Sequence, residues 1–247
     1  MATALIDGDV YVYKAAAVAE YEHNWGDGVW TLEAHESEAV SALVSSIEGD
    51  TQKADCGNVL VALTDRTQEN FRNAYWPNYK GNRKGKRKPM LIPFLREYLH
   101  EHYYVYERPT LEGDDVLGIL MTHPTLVPGD KVCITIDKDL NTIPGTHLRI
   151  GDDTTYTVDE EEAHEFFLTQ CLTGDATDHF PGCPSFGPVK TDKWFDKYGC
   201  TWEAVVAGYE SKGLDEMDAV LQARCARILH ASDYDFNAKQ HIPWSPY

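Results

Sequence analysis

The sequence TALID at residues 3–7 is a short apolar run that ends in an aspartate, and two later segments repeat this arrangement. They are VLVALTD at residues 59–65 and VCITID at residues 132–137. Because β-branched residues dominate and both faces are apolar, each run predicts a buried strand of a parallel sheet. The carboxyl ends of such strands line the ligand crevice of an open α/β fold. We therefore expect the three aspartates to share one edge of a sheet.

Six further acidic residues stand where predicted strands end or helices begin. The complete set is Asp7, Asp65, Glu112, Asp114, Asp115, Asp137, Asp139, Asp175 and Asp178. Two carboxylates about 4 Å apart repel each other by about 4 kcal/mol at an effective dielectric constant of about 20. A crevice that gathers this acidic set therefore needs a bound cation.

The chemistry of the acidic set predicts which cation. Oxygen ligands without histidine or cysteine favour Mg²⁺ or Mn²⁺, and Mg²⁺ typically takes one or two carboxylates plus waters and phosphate oxygens. Nine carboxylates are too many for one ion. Two ions about 4 Å apart form the clamp that is used in phosphodiester hydrolysis. Isolated acidic pairs are common on protein surfaces, so this prediction depends on the joint placement of the set.

Charge is unevenly distributed along the 247 residues. The 40 acidic and 22 basic residues give a formal net charge of −18, which by itself argues against a polyanionic partner. Six basic residues nevertheless fall within nine positions, and they are Lys80, Arg83, Lys84, Lys86, Arg87 and Lys88. A basic segment beside a metal-filled acidic site suits a phosphate backbone despite the total. The length fits one large α/β domain, alone or with a smaller helical extension.

The sequence also argues against several protein classes. The six cysteines form no CxxC pair and no grouping with zinc-ligand spacing, so we expect reduced, structural thiols. No apolar stretch approaches about 18 residues, which excludes a membrane span, and no signal-peptide pattern opens the sequence. We expect a cytoplasmic protein.

Helical and extended patterns alternate along the chain. Helices are predicted near residues 10–18, 33–48, 90–102, 115–121 and 160–172, and most of the chain beyond residue 172 is predicted to be helical. Residues 21–30 predict a hairpin or a loop, and residues 147–158 predict an antiparallel hairpin at the sheet edge. The sequence thus predicts an α/β unit followed by helices.

Five motifs follow one another in order: ALIDGD, LTD with FRNAYWPNYKGNR, EGDD, TIDKDL and GDATDHFPG. From about Thr3 to Tyr198 this order resembles the 5′ nuclease superfamily, which includes flap endonucleases, free-standing phage 5′→3′ exonucleases and the 5′ nuclease domain of bacterial DNA polymerase I. The resemblance implies a PIN-like α/β fold, with a twisted, mostly parallel central sheet flanked by helices. It implies a catalytic domain at 1–165 with a basic arch or clamp at 72–102, and a helical DNA-binding region at 166–247.

The resemblance also implies roles for the acidic set. Asp7, Asp65, Glu112, Asp114 and Asp115 would surround a first Mg²⁺, and Asp137, Asp139, Asp175 and Asp178 a second. Mn²⁺ is expected to substitute, and the sequence does not partition the carboxylates between the two ions.

Basic and aromatic residues acquire roles in the same way. Lys80 and Arg83 would contact the scissile phosphate, and Arg72 would support the same helix or contact a phosphate. Tyr79 would stack on a terminal base, a contact worth about 1–3 kcal/mol. Further DNA contacts or steering charges would come from Lys84, Lys86, Arg87 and Lys88.

The segment GCPSFGPVK at residues 182–190 resembles the family's helix-hairpin-helix-type turn, which grips duplex backbone rather than reading sequence. Gly182, Gly187 and Lys190 would contact DNA there, and a K⁺ ion would bridge the turn and the DNA. The turn departs from the family pattern through Pro184 and Pro188, and His179 replaces the usual Asn in the preceding motif. The turn geometry and the K⁺ site are therefore open.

These observations predict a metal-dependent 5′→3′ exonuclease or flap endonuclease that acts on 5′ ends, flaps or nicks in DNA during replication or repair. RNA in RNA:DNA hybrids is a further candidate substrate. We expect a monomer without a following polymerase module, as in free-standing phage enzymes. The alternatives are a PIN-type ribonuclease and a non-catalytic structure-specific DNA-binding protein. Asp9 and Glu107 are expected to be solvated, and the ten histidines form no ligand-like cluster.

Overall fold

A computed structural model describes residues 1–83 and 85–247 of the chain. The strands of its central sheet are β1 (Ala2–Asp7), β4 (Cys56–Leu63), β5 (Tyr104–Glu107), β6 (Lys131–Thr135), β7 (Gly145–Arg149) and β8 (Tyr156–Val158). Two small hairpins are formed by β2 (Glu20–Asn24) with β3 (Trp30–Ala34), and by β9 (Tyr234–Asp235) with β10 (Gln240–His241).

The central sheet has the strand order β5–β4–β1–β6–β7–β8. The first five of these strands are mutually parallel, and only β8 runs antiparallel to its neighbour β7. This confirms the predicted mostly parallel sheet and its antiparallel edge hairpin. Because β1 and β6 lie side by side in parallel, Asp7 and the segment that follows Thr135 emerge at the same edge.

Eight α-helices occur in the described residues. They are α1 (Gly8–Val18), α2 (Glu36–Lys53), α3 (Ile92–His102), α4 (Gly113–Thr122), α5 (Glu160–Thr173), α6 (Pro188–Tyr198), α7 (Trp202–Glu210) and α8 (Glu216–Ala226).

Helices cover both faces of the sheet. Because alternate residues of a strand point to opposite faces, β1 contributes side chains to the apolar cores on both sides. Ala4 and Ile6 join the apolar core beneath α1, α2 and α3, which includes Leu43 and Leu95. Leu5 joins the opposite core beneath α4. A third core packs α5, α7 and α8 against one another, and Tyr79 and Phe180 belong to it. The C-terminal helices thereby pack beside the carboxyl edge of the sheet.

The helix predicted at 33–48 runs instead from Glu36 to Lys53. Residues Trp30–Ala34 are taken by β3, because their backbone pairs with β2 in an antiparallel hairpin. His35 then precedes the helix without a side-chain cap. Within the described residues, no helix is both long and apolar enough to cross a membrane.

Candidate active site

Asp7 occupies the junction between β1 and α1. Its Oδ1 accepts a hydrogen bond from the Val10 amide (3.3 Å), which caps α1, and its Oδ2 accepts one from the Thr135 hydroxyl (2.7 Å). The next residue is Gly8, where an added Cβ would lie 2.8 Å from the carbonyl oxygen of Ala62. The close approach of α1 to the sheet therefore fixes Asp7 at the carboxyl edge.

Asp114 lies in the first turn of α4 and faces Asp7. Burial raises the pKa of Asp114 well above its usual value, and repulsion from Asp7 and Asp137 raises it further. Burial likewise raises the pKa of Asp7 to about 7, with contributions from Asp9 and Asp137. These carboxylates are therefore close enough to repel one another.

Asp137 and Asp139 flank the start of a 3₁₀ turn at Lys138–Thr142, directly after β6. Asp137 accepts a hydrogen bond from the Asp139 amide (2.9 Å), which orients the turn. The Oδ1 atom of Asp139 is buried and has no hydrogen-bond partner in the described part of the chain. Burial raises the pKa of Asp139 to about 7, and Asp137 and Asp175 add to the effect.

Asp175 and Asp178 belong to the loop that follows α5. Asp175 Oδ1 accepts hydrogen bonds from the amides of Thr177 (2.6 Å) and Asp178 (2.9 Å), so the loop closes on itself. Burial raises the pKa of Asp178, although Lys80 opposes the shift. Asp178 lines the same cleft as Glu112, Asp114 and Asp139.

The donor set suits divalent cations. It contains only oxygen ligands, its members destabilise one another as anions, and the unpaired Asp139 oxygen would gain a partner from a bound ion. Across residues 1–83 and 85–247, no three acidic, histidine or cysteine side chains are arranged to hold a metal ion by themselves.

Lys80 and Arg83 lie directly against the acidic residues. The Lys80 ammonium pairs with Glu112 and lies 3.4 Å from Asp178 Oδ2, and Arg83 Nη2 lies 2.8 Å from Asp178 Oδ1. Burial alone would lower the pKa of Lys80, but attraction to Glu112 and Asp178 outweighs it and raises that pKa. Two permanent cations therefore border the cleft.

Comparison with known proteins agrees with this geometry. The family model described as "5'-3' exonuclease, N-terminal resolvase-like domain" matches residues 2–167. The chain belongs to this 5′-3′ exonuclease family. It is 28% identical to an exonuclease of Escherichia phage T7, over 98% of this chain and 93% of the relative. It is also 28% identical to an exodeoxyribonuclease of Enterobacteria phage T3, over 98% of this chain and 92% of the relative. The protein is therefore a nuclease.

Solved structures share the fold. The D15 protein of phage T5, co-crystallised with metal ions, superposes with a TM-score of 0.61 at 15% identity, covering 91% of both chains. A complex of the T5 D15 flap endonuclease with DNA and metal ions gives a TM-score of 0.62 at 15% identity, again covering 91% of both chains. These likenesses confirm the α/β fold of the family.

Arg72 is buried, so of its two predicted roles the structure favours support of the local backbone over contact with a phosphate. Only 2% of Arg72 is exposed, and its guanidinium binds both oxygens of Asp115 at 2.7 and 2.8 Å. It also donates to Glu112 Oε2 (3.2 Å) and to the carbonyl oxygens of Cys225 and Arg227. Arg72 thus joins the start of α4 to the segment after α8.

Tyr79 is also buried, and the predicted base stacking is wrong for this conformation. Its hydroxyl lies 3.0 Å from Glu112 Oε2 and 2.7 Å from Asp178 Oδ2, and its ring stacks on Phe180. With 5% of the residue exposed, no base reaches the ring. Tyr79 instead connects two acidic residues of the cleft.

Asp115 is predicted to belong to the first metal neighbourhood, but its oxygens are used within the protein. It is fully buried, and its oxygens accept hydrogen bonds from Arg72, the Leu229 amide (3.2 Å) and the Glu112 amide (3.1 Å). All of its ligand capacity is used within the protein. Glu112 is strongly paired as well: burial opposes its ionisation, but Lys80 and Arg72 lower its pKa to about 2.

Asp65 follows β4, and its side chain organises the adjacent loop. Its oxygens accept hydrogen bonds from the Thr110 amide (2.8 Å), the Thr67 amide (3.1 Å) and the Thr67 hydroxyl (2.8 Å). Burial raises the pKa of Asp65, but these hydrogen bonds and Arg96 lower it overall. These contacts give Asp65 a loop-organising role, and its predicted place near the first metal ion stays a prediction.

Asp9 is a site residue that the sequence reasoning missed, because it was expected to be solvated. Its Oδ1 pairs with Arg96 (2.7 Å), and its Oδ2 accepts a hydrogen bond from the Thr64 amide (2.8 Å). Arg96 also binds Glu107 (3.0 Å), which is likewise not free in solvent. The signal was the DGD spacing, which places Asp9 two residues after Asp7 at the same strand end.

The predicted DNA-contacting residues that the structure describes in the basic segment are exposed, whereas one of those in the 182–190 turn is buried. Lys86, Arg87 and Lys88 are exposed, and Arg87 pairs with Glu20, while Lys84 lies outside the described residues. Gly182 is corrected: it is buried, and its amide donates to Gln222 Oε1 (2.9 Å), so it has no amide to offer DNA.

The outer part of the turn remains accessible. Gly187 is exposed at the start of α6 and has no side-chain cap, and the Lys190 ammonium lies over the ring of Phe186. His179, the departure from the family pattern, has a φ of 61° and holds the carbonyl oxygen of Asn78 at 3.1 Å from Nδ1. This contact ties the acidic loop to the segment that carries Lys80.

Proposed function

We propose that the chain hydrolyses phosphodiester bonds near the 5′ ends of DNA, as a 5′→3′ exonuclease and flap endonuclease that uses two Mg²⁺ ions. The observation that carries this proposal is the placement of the carboxylates: β1 and β6 deliver Asp7 and Asp137 to the same edge of the sheet, Glu112, Asp114, Asp139 and Asp178 line one cleft, and the buried Asp139 Oδ1 has no partner among the described residues. Like charges held this close in a buried cleft are stable with divalent cations between them.

We assign the carboxylates by the elements that carry them: Asp7 and Asp114 begin α1 and α4, Asp139 follows β6, and Asp175 and Asp178 lie in the loop after α5. Asp7 and Asp114 would hold one ion, and Asp139 and Asp178 would hold the other together with Asp175. Asp137 follows β6, the strand beside β1, and directly precedes the turn that carries Asp139, so it would serve both ions. Bound there, the ions would supply Lewis acidity for the attacking water and the leaving oxygen. Mn²⁺ has the same ligand preference and would substitute.

Lys80 and Arg83 would orient the scissile phosphate and stabilise the charge that develops on it. Their positions beside Glu112 and Asp178 put two positive side chains at the mouth of the acidic cleft. Preorganised charge of this kind stabilises a phosphoryl transition state more than the ground state. Tyr79 and Arg72 would act through Glu112, because each hydrogen-bonds to it.

DNA would approach across two exposed basic regions. One is the segment with Lys86, Arg87 and Lys88, and the other is the start of α6 with Gly187 and Lys190. The T5 flap endonuclease is seen with DNA and metal ions, and a Rad2 catalytic core with a DNA substrate shares the fold with a TM-score of 0.52 at 13% identity. We propose the same ligand class for this chain.

Several finer points of the sequence analysis remain predictions. They are the division into a catalytic domain at 1–165 and a DNA-binding region at 166–247, K⁺ at the 182–190 turn, cleavage of RNA:DNA hybrids, a monomeric state and a cytoplasmic location, which is the host cytoplasm if a phage encodes the protein.

The decisive assay incubates the protein with 5′-labelled flap, nicked duplex, single-stranded DNA and RNA:DNA hybrid, first with Mg²⁺ and then with EDTA. We expect metal-dependent cleavage of flap and nicked DNA, and its loss in Asp137→Ala. Asp130→Asn is the control. Asp130 is exposed and directly precedes Lys131, where β6 begins, at the end of the strand opposite the acidic cleft. If no substrate is cleaved in Mg²⁺, the proposal is wrong.

A further inference from the structure

Four consecutive backbone carbonyl oxygens, those of residues 176–179, accept hydrogen bonds from the segment at residues 76–82. We call them the carbonyl row. The Asn82 side-chain amide donates to the first two, at 3.2 and 3.1 Å. The Lys80 backbone amide donates to the third (2.8 Å), and the Trp76 indole donates to the fourth (3.0 Å). The row thus joins two segments whose paired residues lie 94 to 103 positions apart in the chain.

The carbonyl row forms the outer arc of the loop that carries Asp175 and Asp178. The two ends of this loop are joined by a backbone pair between Asp175 and Phe180, at 2.9 and 3.1 Å. The arc between them belongs to no helix or strand, and its carbonyl groups find their partners on the other segment. The segment at residues 76–82 therefore decides where the arc lies.

The side chain of Asp178 is held by the same stretch of chain. Its Oδ2 accepts a hydrogen bond from the Tyr79 hydroxyl (2.7 Å), and its Oδ1 lies 2.8 Å from Arg83 Nη2. The carbonyl oxygen and the carboxylate of one predicted metal ligand thus both depend on residues that adjoin Lys80. If this stretch withdrew, Asp178 would lose its backbone partner and its side-chain partners together.

Asn82 acts on the carbonyl row through hydrogen bonding rather than through packing. Its side chain faces two carbonyl oxygens, so only the amide nitrogen, which has two N–H groups, suits both neighbours. Asn82 is exposed, and it lies in a short 3₁₀ turn at Gly81–Arg83. A substitution at this position therefore removes the two hydrogen bonds without opening a cavity in a core.

We propose that Asn82 is a positioning residue for one metal ion, and that it acts with Trp76 through the carbonyl row. This inference rests on the proposed function, in which Asp139 and the two aspartates of the loop hold that ion. With the row formed, Asp178 stands where it completes the ligand set. Coupling between two sites is reciprocal, so the bound ion in turn holds the segment at residues 76–82 against the loop.

Titration of the metal-free protein with Mn²⁺ in a calorimeter tests the proposal. We expect Asn82→Ala to weaken one of two ions at least about fivefold, as fits the loss of two hydrogen bonds, and to leave the other within about twofold. Asn82→Gln keeps the amide at an exposed position and should restore most of the affinity. The matched control is Asn73→Ala, at an exposed asparagine of the preceding 3₁₀ turn, which should bind both ions like the wild type.

The Mg²⁺ dependence of cleavage separates a positioning role from a contact with DNA. In single-turnover cleavage of a 5′ flap, Asn82→Ala should need at least about fivefold more Mg²⁺ for its half-maximal rate, the same factor as for Mn²⁺ binding. Excess Mg²⁺ should restore the rate. A rate that recovers only when the DNA concentration is raised would mean that Asn82 contacts DNA, and it would overturn the inference.

Hydrogen exchange at the Lys80 amide measures the reciprocal effect directly, because this amide donates into the carbonyl row. Mg²⁺ should slow its exchange in the wild type at least about threefold, and clearly less in Asn82→Ala. The melting temperatures of Asn82→Ala and Asn73→Ala in EDTA should agree, since neither side chain is buried. Equal protection by Mg²⁺ in wild type and Asn82→Ala would contradict the coupling.

The outcomes distinguish this inference from the proposed function. If the wild type binds two Mn²⁺ ions and Asn82→Ala binds both as tightly as Asn73→Ala does, the positioning inference is wrong and the proposed function stands. A wild type that binds no Mn²⁺ and cleaves no substrate in Mg²⁺ would contradict the proposed function itself.

Discussion

Arg72 and Asp115 form a two-point ion pair inside the protein, with nitrogen–oxygen distances of 2.8 and 2.7 Å. Asp115 is fully buried and Arg72 is 2% exposed. Because Arg72 also binds Glu112 and two carbonyl oxygens near α8, this pair connects the carboxyl edge of the sheet to the C-terminal helices. The ion pair thereby positions Glu112 without contacting substrate.

Arg72→Met should strongly destabilise the protein. The substitution leaves Asp115 buried without its partner, and breaking a buried pair typically costs about 3–5 kcal/mol. Urea denaturation of the metal-free protein measures this loss. Arg66→Met is the control, because Arg66 is an exposed arginine with surface ion pairs, and it should change the free energy of unfolding by less than about 1 kcal/mol. Equal effects of the two variants would contradict the structural role of Arg72.

Asp139→Asn should stabilise the metal-free protein while it weakens metal binding. At pH 8, Asp139 is ionised beside Asp137 and Asp175, and its buried oxygen has no partner among the described residues. Removing that charge relieves repulsion, so in EDTA the melting temperature should rise by roughly 2–4 °C for each 1 kcal/mol gained. Calorimetry with EDTA and then Mn²⁺ should show the order of stability reversed. An unchanged or lower melting temperature in EDTA would be inconsistent with a strained acidic cleft.

Lys80→Met should lower the maximal cleavage rate by a factor of about 10²–10³, the usual effect of losing one preorganised charge at the transition state. The protein should remain folded, because Glu112 keeps Arg72 and Tyr79 as hydrogen-bond partners when Lys80 is lost. Single-turnover kinetics at saturating DNA measure the rate. Lys86→Met, an exposed control in the basic segment, should weaken DNA binding but leave that rate unchanged. A rate loss of the same size in both variants would mean that Lys80 acts only by attracting DNA.

Gly182→Ala should destabilise the C-terminal helical region. Gly182 has a φ of 64°, and an added Cβ would lie 2.3 Å from the Gly174 backbone nitrogen. The backbone conformation alone costs on the order of 1–3 kcal/mol, and the clash adds to it. Gly187→Ala has open space around the new Cβ and serves as the control in urea denaturation. Equal stability of the two variants would show that the turn relaxes.

The residues of the site that lie at the ends of strands could be predicted from the sequence. Asp7 and Asp137 continue apolar runs, and parallel pairing of those runs brings the two aspartates together. The burial of charged residues could not be predicted in this way. Arg72 looks like a surface cation beside a basic segment, and only packing against Asp115, 43 residues away, reveals its role.

Gly182 and Asn82 illustrate the same limit. A glycine in a predicted DNA-binding turn suggests backbone contact with phosphate, yet its amide is used by Gln222. Asn82 stands beside Arg83 in the basic segment, and the first carbonyl oxygen that it binds lies 94 residues away in the chain. Side-chain partners that are distant in sequence depend on tertiary packing, which local patterns do not encode.

Isothermal titration of the metal-free protein with Mn²⁺ tests the central claim most directly. Two ions should bind per wild-type chain, and Asp7→Asn and Asp139→Asn should each weaken one of them while circular dichroism shows an intact fold. Asp130→Asn should bind Mn²⁺ like the wild type. Wild-type protein that binds no Mn²⁺, or variants of Asp7 and Asp139 that bind it unchanged, would contradict a metal centre built from the acidic residues at the carboxyl edge of the sheet.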